Sequence, residues 1–168
     1  MELVKSTTRV LAFKALNRYF DKVWVDWAVE MLMAGFENDN LMILAGEFEP
    51  YNQFQLQDLT TKVFKELNLD FSDKDLLIKN YACYLIDKFF IGELDNFKVL
   101  FELKDICIEL DHEKYLYGFY SLYFAKEDLF DSENQWYWEG ATRENIEKII
   151  EEYFLNWKSN CKEKTTNA

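Results

Sequence analysis

The sequence predicts an all-α fold: a single-domain bundle, or a short helical-repeat-like array, of about seven to eight helices. Three observations predict it. The 168 residues contain one proline, Pro50, and only five glycines, too little turn punctuation for a β-rich domain. Apolar residues recur with the helical period almost throughout. Hydrophobic residues make up 49% of the chain and aromatics 18%. That is enough for a large, ring-packed core that needs neither disulfide nor metal to fold. The length is that of one domain, expected over 1–161, with 162–168 a disordered polar tail.

A first helix is expected from about Leu3 to Tyr19. A second begins near Asp21 and places Trp24, Trp27, Ala28, Met31 and Leu32 on one stripe. Gly35 then stands where a left-handed C-terminal cap is wanted. A short helix carries Leu41–Ala45, and Gly46 to Pro50 breaks the chain. From about Asn52 to Leu67, Leu56, Leu59, Val63 and Leu67 share a face. Ser72 is the expected N-cap of the next helix, with Asp75 three residues on and Phe71 and Leu76 at the staple positions. That helix, Asp73–Ile91, is apolar over most of its circumference and predicts the buried centre of the fold, packed by the second and the last helices.

Another helix spans about Leu94 to Leu110, with Leu100, Leu103, Cys107 and Leu110 in register. Glu113 to Leu129 is dense in Tyr and Phe and interrupted by Gly118. Asp131 to Gly140 reads as a polar loop holding Trp136, Tyr137 and Trp138. Thr142 is the expected cap of the last helix, on which Ile146, Ile149, Ile150, Tyr153, Phe154 and Trp157 form a stripe.

Acidic residues number 31 against 19 basic, a formal net charge of −12. Such a surface repels phosphates and anionic membranes and steers basic partners inward. It also keeps an aromatic-rich chain dispersed, which is the plainer explanation. No basic stripe forms, so nucleic acid is not an expected partner. Basic residues interrupt Met1–Phe20, so no signal peptide is expected there. No stretch reaches 18 apolar residues, so no transmembrane helix is expected. Cys83, Cys107 and Cys161 lack a CxxC pattern. Cys83 and Cys107 read as buried thiols, which fits a reducing, cytoplasmic setting.

His112 is the only histidine. There is no second His for a zinc site, no Gly-rich phosphate loop and no Ser elbow. His112 itself reads as a helix-end residue. Glu47 and Glu49 flank Phe48, and Asp70, Asp73 and Asp75 cluster at a helix start, where the macrodipole explains them without catalysis. The expectation is therefore no enzymatic activity, no catalytic residue, no cofactor and no metal. An enzyme with an unrecognised carboxylate site stays open as an alternative.

One stretch reads as a partner-binding site: Glu127, Asp128, Asp131 and Glu133, followed by Trp136 and Trp138. Aromatic anchors beside an acidic rim are what a protein-binding hot spot looks like. The competing reading folds these rings back over the core.

The stretch Trp27-Ala28, Met31-Leu32, Gly35 and Leu41–Gly46, with Trp136–Trp138 and the terminal Tyr153, Phe154 and Trp157, resembles small, acidic, all-helical bacterial proteins of uncharacterised function. Several proteins of this look are immunity proteins, which neutralise a cognate toxin. The resemblance implies a cytoplasmic protein whose partner is a toxin domain, often a basic nuclease. It carries over no contact residue, because immunity proteins diverge most where they bind. A small helical adaptor or regulator binding another bacterial protein is the alternative.

Overall fold

The computed structural model describes residues 2–161; the predicted tail over 162–168 lies outside them. Among the described residues there are eight α-helices, α1 (Thr7–Ala15), α2 (Lys22–Met33), α3 (Asp39–Ala45), α4 (Gln53–Glu66), α5 (Lys74–Phe90), α6 (Asn96–Glu109), α7 (Tyr117–Asp131) and α8 (Ile146–Ser159). A single 3-10 turn, Lys114–Leu116, runs into α7. The all-α expectation is met. The chain forms two compact units, Met1–Tyr84 and Leu85–Ala168, and α5 gives its first part to one and its last turns to the other.

Several helix ends share a capping chemistry. Asp21, Asn38, Asn52 and Asp95 each accept a hydrogen bond from a first-turn backbone N–H through the side-chain oxygen. Five helices end in the same left-handed cap. The residue in that conformation is Asn17, Gly35, Asn68, Gly92 or Asp111, and the next residue's N–H bonds back to Phe13, Met31, Phe64, Lys88 or Cys107. Gly35 does what its position predicted. Asn17 ends α1 at Ala15, short of Tyr19, and Asp111 shows that an acid serves where glycine was not supplied.

Two capping expectations are corrected. Asp73, not Ser72, caps α5: its carboxylate accepts from the Leu76 N–H at 3.0 Å. Ser72 instead gives its N–H to Asp70. With the cap at Asp73, Phe71 no longer stands at the staple position; it packs its ring on Phe64 of α4 instead. At α8, the Asn145 side chain accepts the Thr142 N–H at 2.7 Å, and the Thr142 carbonyl accepts from Ile146. Thr142 thus opens the turn through its backbone.

In the first unit the core gathers Val10, Trp24, Trp27, Ala28, Met31, Leu41, Leu44, Val63 and Phe64, all essentially buried. Trp27 satisfies its indole by donating to the Thr7 hydroxyl at 3.0 Å. Tyr81 of α5 meets Phe13 of α1 edge-on at 5.7 Å. Cys83 is disulfide-bonded, correcting its reading as a buried thiol; a half-cystine suits an apolar run as well as a thiol does.

In the second unit α6 and α7 pack along each other and α8 lies against α7. Phe119 is the hub: Tyr153, Phe154 and Trp157 of α8 surround it at 5.1, 6.1 and 4.8 Å. Phe89, in the last turns of α5, meets the same Phe154 edge-on at 5.3 Å. Lys126, mostly buried, is held by the Asn96 side-chain amide oxygen at 2.7 Å and the Glu147 carboxylate at 2.6 Å. Burial pushes the Glu147 carboxyl up, but the bonds from Lys126 and Asn96 outweigh it and leave the group below its ordinary value. Cys107 is a buried free thiol and Cys161 is disulfide-bonded.

Candidate protein-binding site

The predicted site residues lie at the C-terminal end of α7 and in the loop after it. The helix runs two residues past Leu129, so Glu127, Asp128 and Asp131 are helical. Glu133 is exposed in the loop. Carboxylates in the last turns of a helix oppose its dipole, each at a cost of about 0.3–1 kcal/mol when exposed. No base stands in that turn of α7. Arg143 supplies the missing cation from outside. Its guanidinium donates to the carbonyls of Leu129 at 2.7 Å, Ser132 at 3.1 Å and Phe130 at 3.4 Å. The helix end is thereby capped while its carboxylates stay outside.

Glu127 also accepts a hydrogen bond from the Tyr123 hydroxyl at 3.0 Å. Burial, then the Glu127 carboxylate, hold the Tyr123 phenol above its ordinary value. This contact fixes one carboxylate and leaves Asp131 and Glu133 at the surface.

The loop is built around Gln135. Its amide oxygen accepts from the N–H groups of Tyr137 and Trp138, each at 2.8 Å. Its amide nitrogen donates to the carbonyls of Trp138 and Ala141. One side chain thus satisfies four backbone groups and gives the three-ring segment a fixed shape.

That shape separates the rings. Trp138 turns toward α8 and meets Tyr153 edge-on at 5.6 Å. Tyr137 stacks on Phe124 of α7 at 5.2 Å and 29° and stays 42% exposed. Trp136 is 90% exposed and carries the apolar surface of the site. The two tryptophans predicted as a pair therefore sit differently: one packs, the other is displayed. The first unit exposes Phe48 and Phe54 as well, but no ring contact joins those two among the described residues.

Sequence reasoning missed the helix face beneath this loop. Tyr117, Tyr120 and Phe124 stand at i, i+3 and i+7 on α7, and Glu127, Asp128 and Asp131 continue the stripe at i+10, i+11 and i+14. Tyr117 stacks on Tyr120 at 5.2 Å, and Tyr120 meets Phe124 at 4.8 Å. The spacing was legible, but a Tyr/Phe-rich stripe reads as core until a structure shows which side of the helix is covered. His112, just past the end of α6, meets Tyr120 edge-on at 5.3 Å, in keeping with a helix-end residue.

Two of the acids before α5 are accounted for locally. Asp70 and Asp73 serve the turn and cap before α5, and the backbone N–H of Ser72 holds the Asp70 carboxyl below its ordinary range. Burial pushes the Cys107 thiol up, away from the thiolate a nucleophile needs. Among the described residues no group of three or more His, Cys, Asp or Glu side chains could hold a metal ion, and no helix is long and apolar enough to cross a membrane. The chain was compared with protein-family models, curated proteins and solved structures, and none of them matches it.

Proposed function

We propose that this protein is an immunity protein: it binds a cognate basic toxin domain and neutralises it, using the end of α7 and the loop around Gln135. The observation that carries the reading is the pairing of a displayed Trp136 with carboxylates set against the dipole of α7. Such an arrangement costs helix stability and leaves a large ring in water, and contact with a cationic protein would offset both. In this reading the chain does no chemistry of its own and takes no cofactor. A net charge of −12 speeds capture of a basic partner through long-range steering.

The test is growth rescue. The product of the gene next to this one is expressed in a bacterial host with and without this chain, and growth and complex formation are measured. Rescue together with a stable complex supports the reading. A toxic neighbour that this chain neither binds nor neutralises overturns it, as does a neighbour of ordinary metabolic activity. Within a complex, neutralising Glu127, Asp128, Asp131 and Glu133 should slow association and flatten its salt dependence, whereas Trp136→Ala should hasten dissociation.

A further inference from the structure

The aromatic stripe of α7 adds a second component to the same surface. Residues 109–142 hold eight carboxylate residues and two lysines, a local net charge of −6 against −12 for the whole chain. One of those lysines, Lys126, is mostly buried and already paired with Glu147. Negative charge is not confined to this segment, since residues 26–58 hold seven carboxylate residues and no Lys or Arg, but here it adjoins a run of stacked rings on one helix. Tyr117 is 49% exposed, and Tyr137 lies over Phe124 with its outer side open to solvent. On the α7 stripe the rings give way directly to Glu127, Asp128 and Asp131.

Stacked rings that lead into carboxylates suit one kind of side chain better than any other. A guanidinium is planar, lies flat on an aromatic face and pairs with a carboxylate through two parallel N–H groups. An ammonium is a more strongly hydrated point charge and gains less from a ring face. We infer that the exposed rings of this cluster, Tyr117 beside Tyr120 and Tyr137 over Phe124, dock arginine side chains of a basic protein partner, the one on Tyr137 lying a helical turn from Glu127 and Asp128. The inference rests on the proposed function and names what the partner must present: an arginine-bearing segment, with lysine a poor substitute.

Two labelled peptides of equal length and charge, one with arginine and the other with lysine as its only cation, are titrated against the full chain by fluorescence anisotropy. An exposed cation–π contact is worth about two- to fivefold in affinity. With more than one ring engaged, the arginine peptide should bind roughly fivefold or more tightly than the lysine peptide. The double variant Tyr117→Leu/Tyr137→Leu keeps the apolar bulk and removes the rings, and should bring the two peptides to equal affinity. Neutralising Glu127, Asp128 and Asp131 should weaken both. Equal affinities in the native chain, absence of binding by either peptide, or an arginine preference that survives the double variant overturns the inference. Should the double variant melt early, Tyr137→Leu alone, in the loop, gives the same comparison. Toxin neutralisation without arginine preference overturns this inference and leaves the proposed function standing. Arginine preference in a chain that neutralises nothing does the reverse.

Discussion

Gly118 and Tyr153 fix the distance at which α7 crosses α8. A Cβ on Gly118 would lie 2.1 Å from the Tyr153 Oη and 2.5 Å from its Cζ, well inside contact. The ring cannot swing aside freely, because Phe119 holds it at 5.1 Å and Trp138 at 5.6 Å. Alanine would ordinarily favour a helix interior over glycine by about 0.5–1 kcal/mol. Overpacking costs about 1–3 kcal/mol, so here the sign reverses. Gly118→Ala should lower the melting temperature, and Tyr153→Phe in the same chain should recover part of the loss by removing the nearer atom. A Gly118→Ala protein that melts higher than the native one would show that the helices can separate at no cost.

Tyr153 makes a second forecast, in alkali. Burial, with a smaller push from Cys107, raises its phenol to about 12. Below about pH 10 both the folded and unfolded forms are protonated, and the group contributes nothing to the pH dependence. Between about 10 and 12 the unfolded chain loses the proton and the folded chain keeps it, so stability falls as pH rises. The full drop is about 3 kcal/mol. Denaturant unfolding at a series of pH values should show this limb, and Tyr153→Phe should flatten it. An unchanged slope in the variant would place the proton loss elsewhere.

The two tryptophans of the loop should separate stability from binding. Trp138 packs on Tyr153, so Trp138→Ala should cost about 1–3 kcal/mol and lower the melting temperature. Trp136 is nearly fully exposed, and Trp136→Ala should move stability by no more than about 0.5 kcal/mol. In a complex the ranking inverts, with Trp136→Ala costing about 2 kcal/mol or more if it anchors the partner. Thermal melts and dissociation rates on both variants decide the matter; a Trp136→Ala chain that binds unchanged removes this residue from the site.

What the sequence disclosed follows from what each signal measures. Periodicity reports which face of a helix is apolar, so α2, α4 and α8 were legible from stripes such as Trp24–Trp27–Met31. It does not report where a helix ends, because that depends on a single left-handed residue; Asn17 and Asp111 do this work without the glycine that would have announced it. The carboxylates and tryptophans of the site were legible as types in a row. Their division was not, because Trp138 and Trp136 differ only in which way Gln135 turns the backbone. The Tyr117–Phe124 stripe shows the opposite limit: its spacing was plain, but pattern alone does not separate a buried aromatic face from a displayed one.

Arg143 ties that site to the stability of α7. The last turn of the helix holds Asp128 and Asp131 and no base, with Glu127 just before it, so the end of α7 is electrostatically opposed by its own side chains. The Arg143 guanidinium answers both needs at once, donating to three carbonyls and placing a positive charge at the negative pole. Arg143→Met keeps the aliphatic stem and removes the donors and the charge; it should cost about 1–2 kcal/mol. The loss should be local. Amides of the last turn, such as Ser132, which donates to Asp128, should exchange faster with solvent, while those of Leu122 and Ala125 in the buried middle of α7 stay protected. Adding Asp131→Asn should restore part of the protection, because one of the opposing charges is gone. Arg143→Lys should fall between, retaining the charge but not the fork of N–H groups. If the exchange of the last turn is the same in Arg143→Met as in the native chain, the carboxylates are held by something other than this arginine.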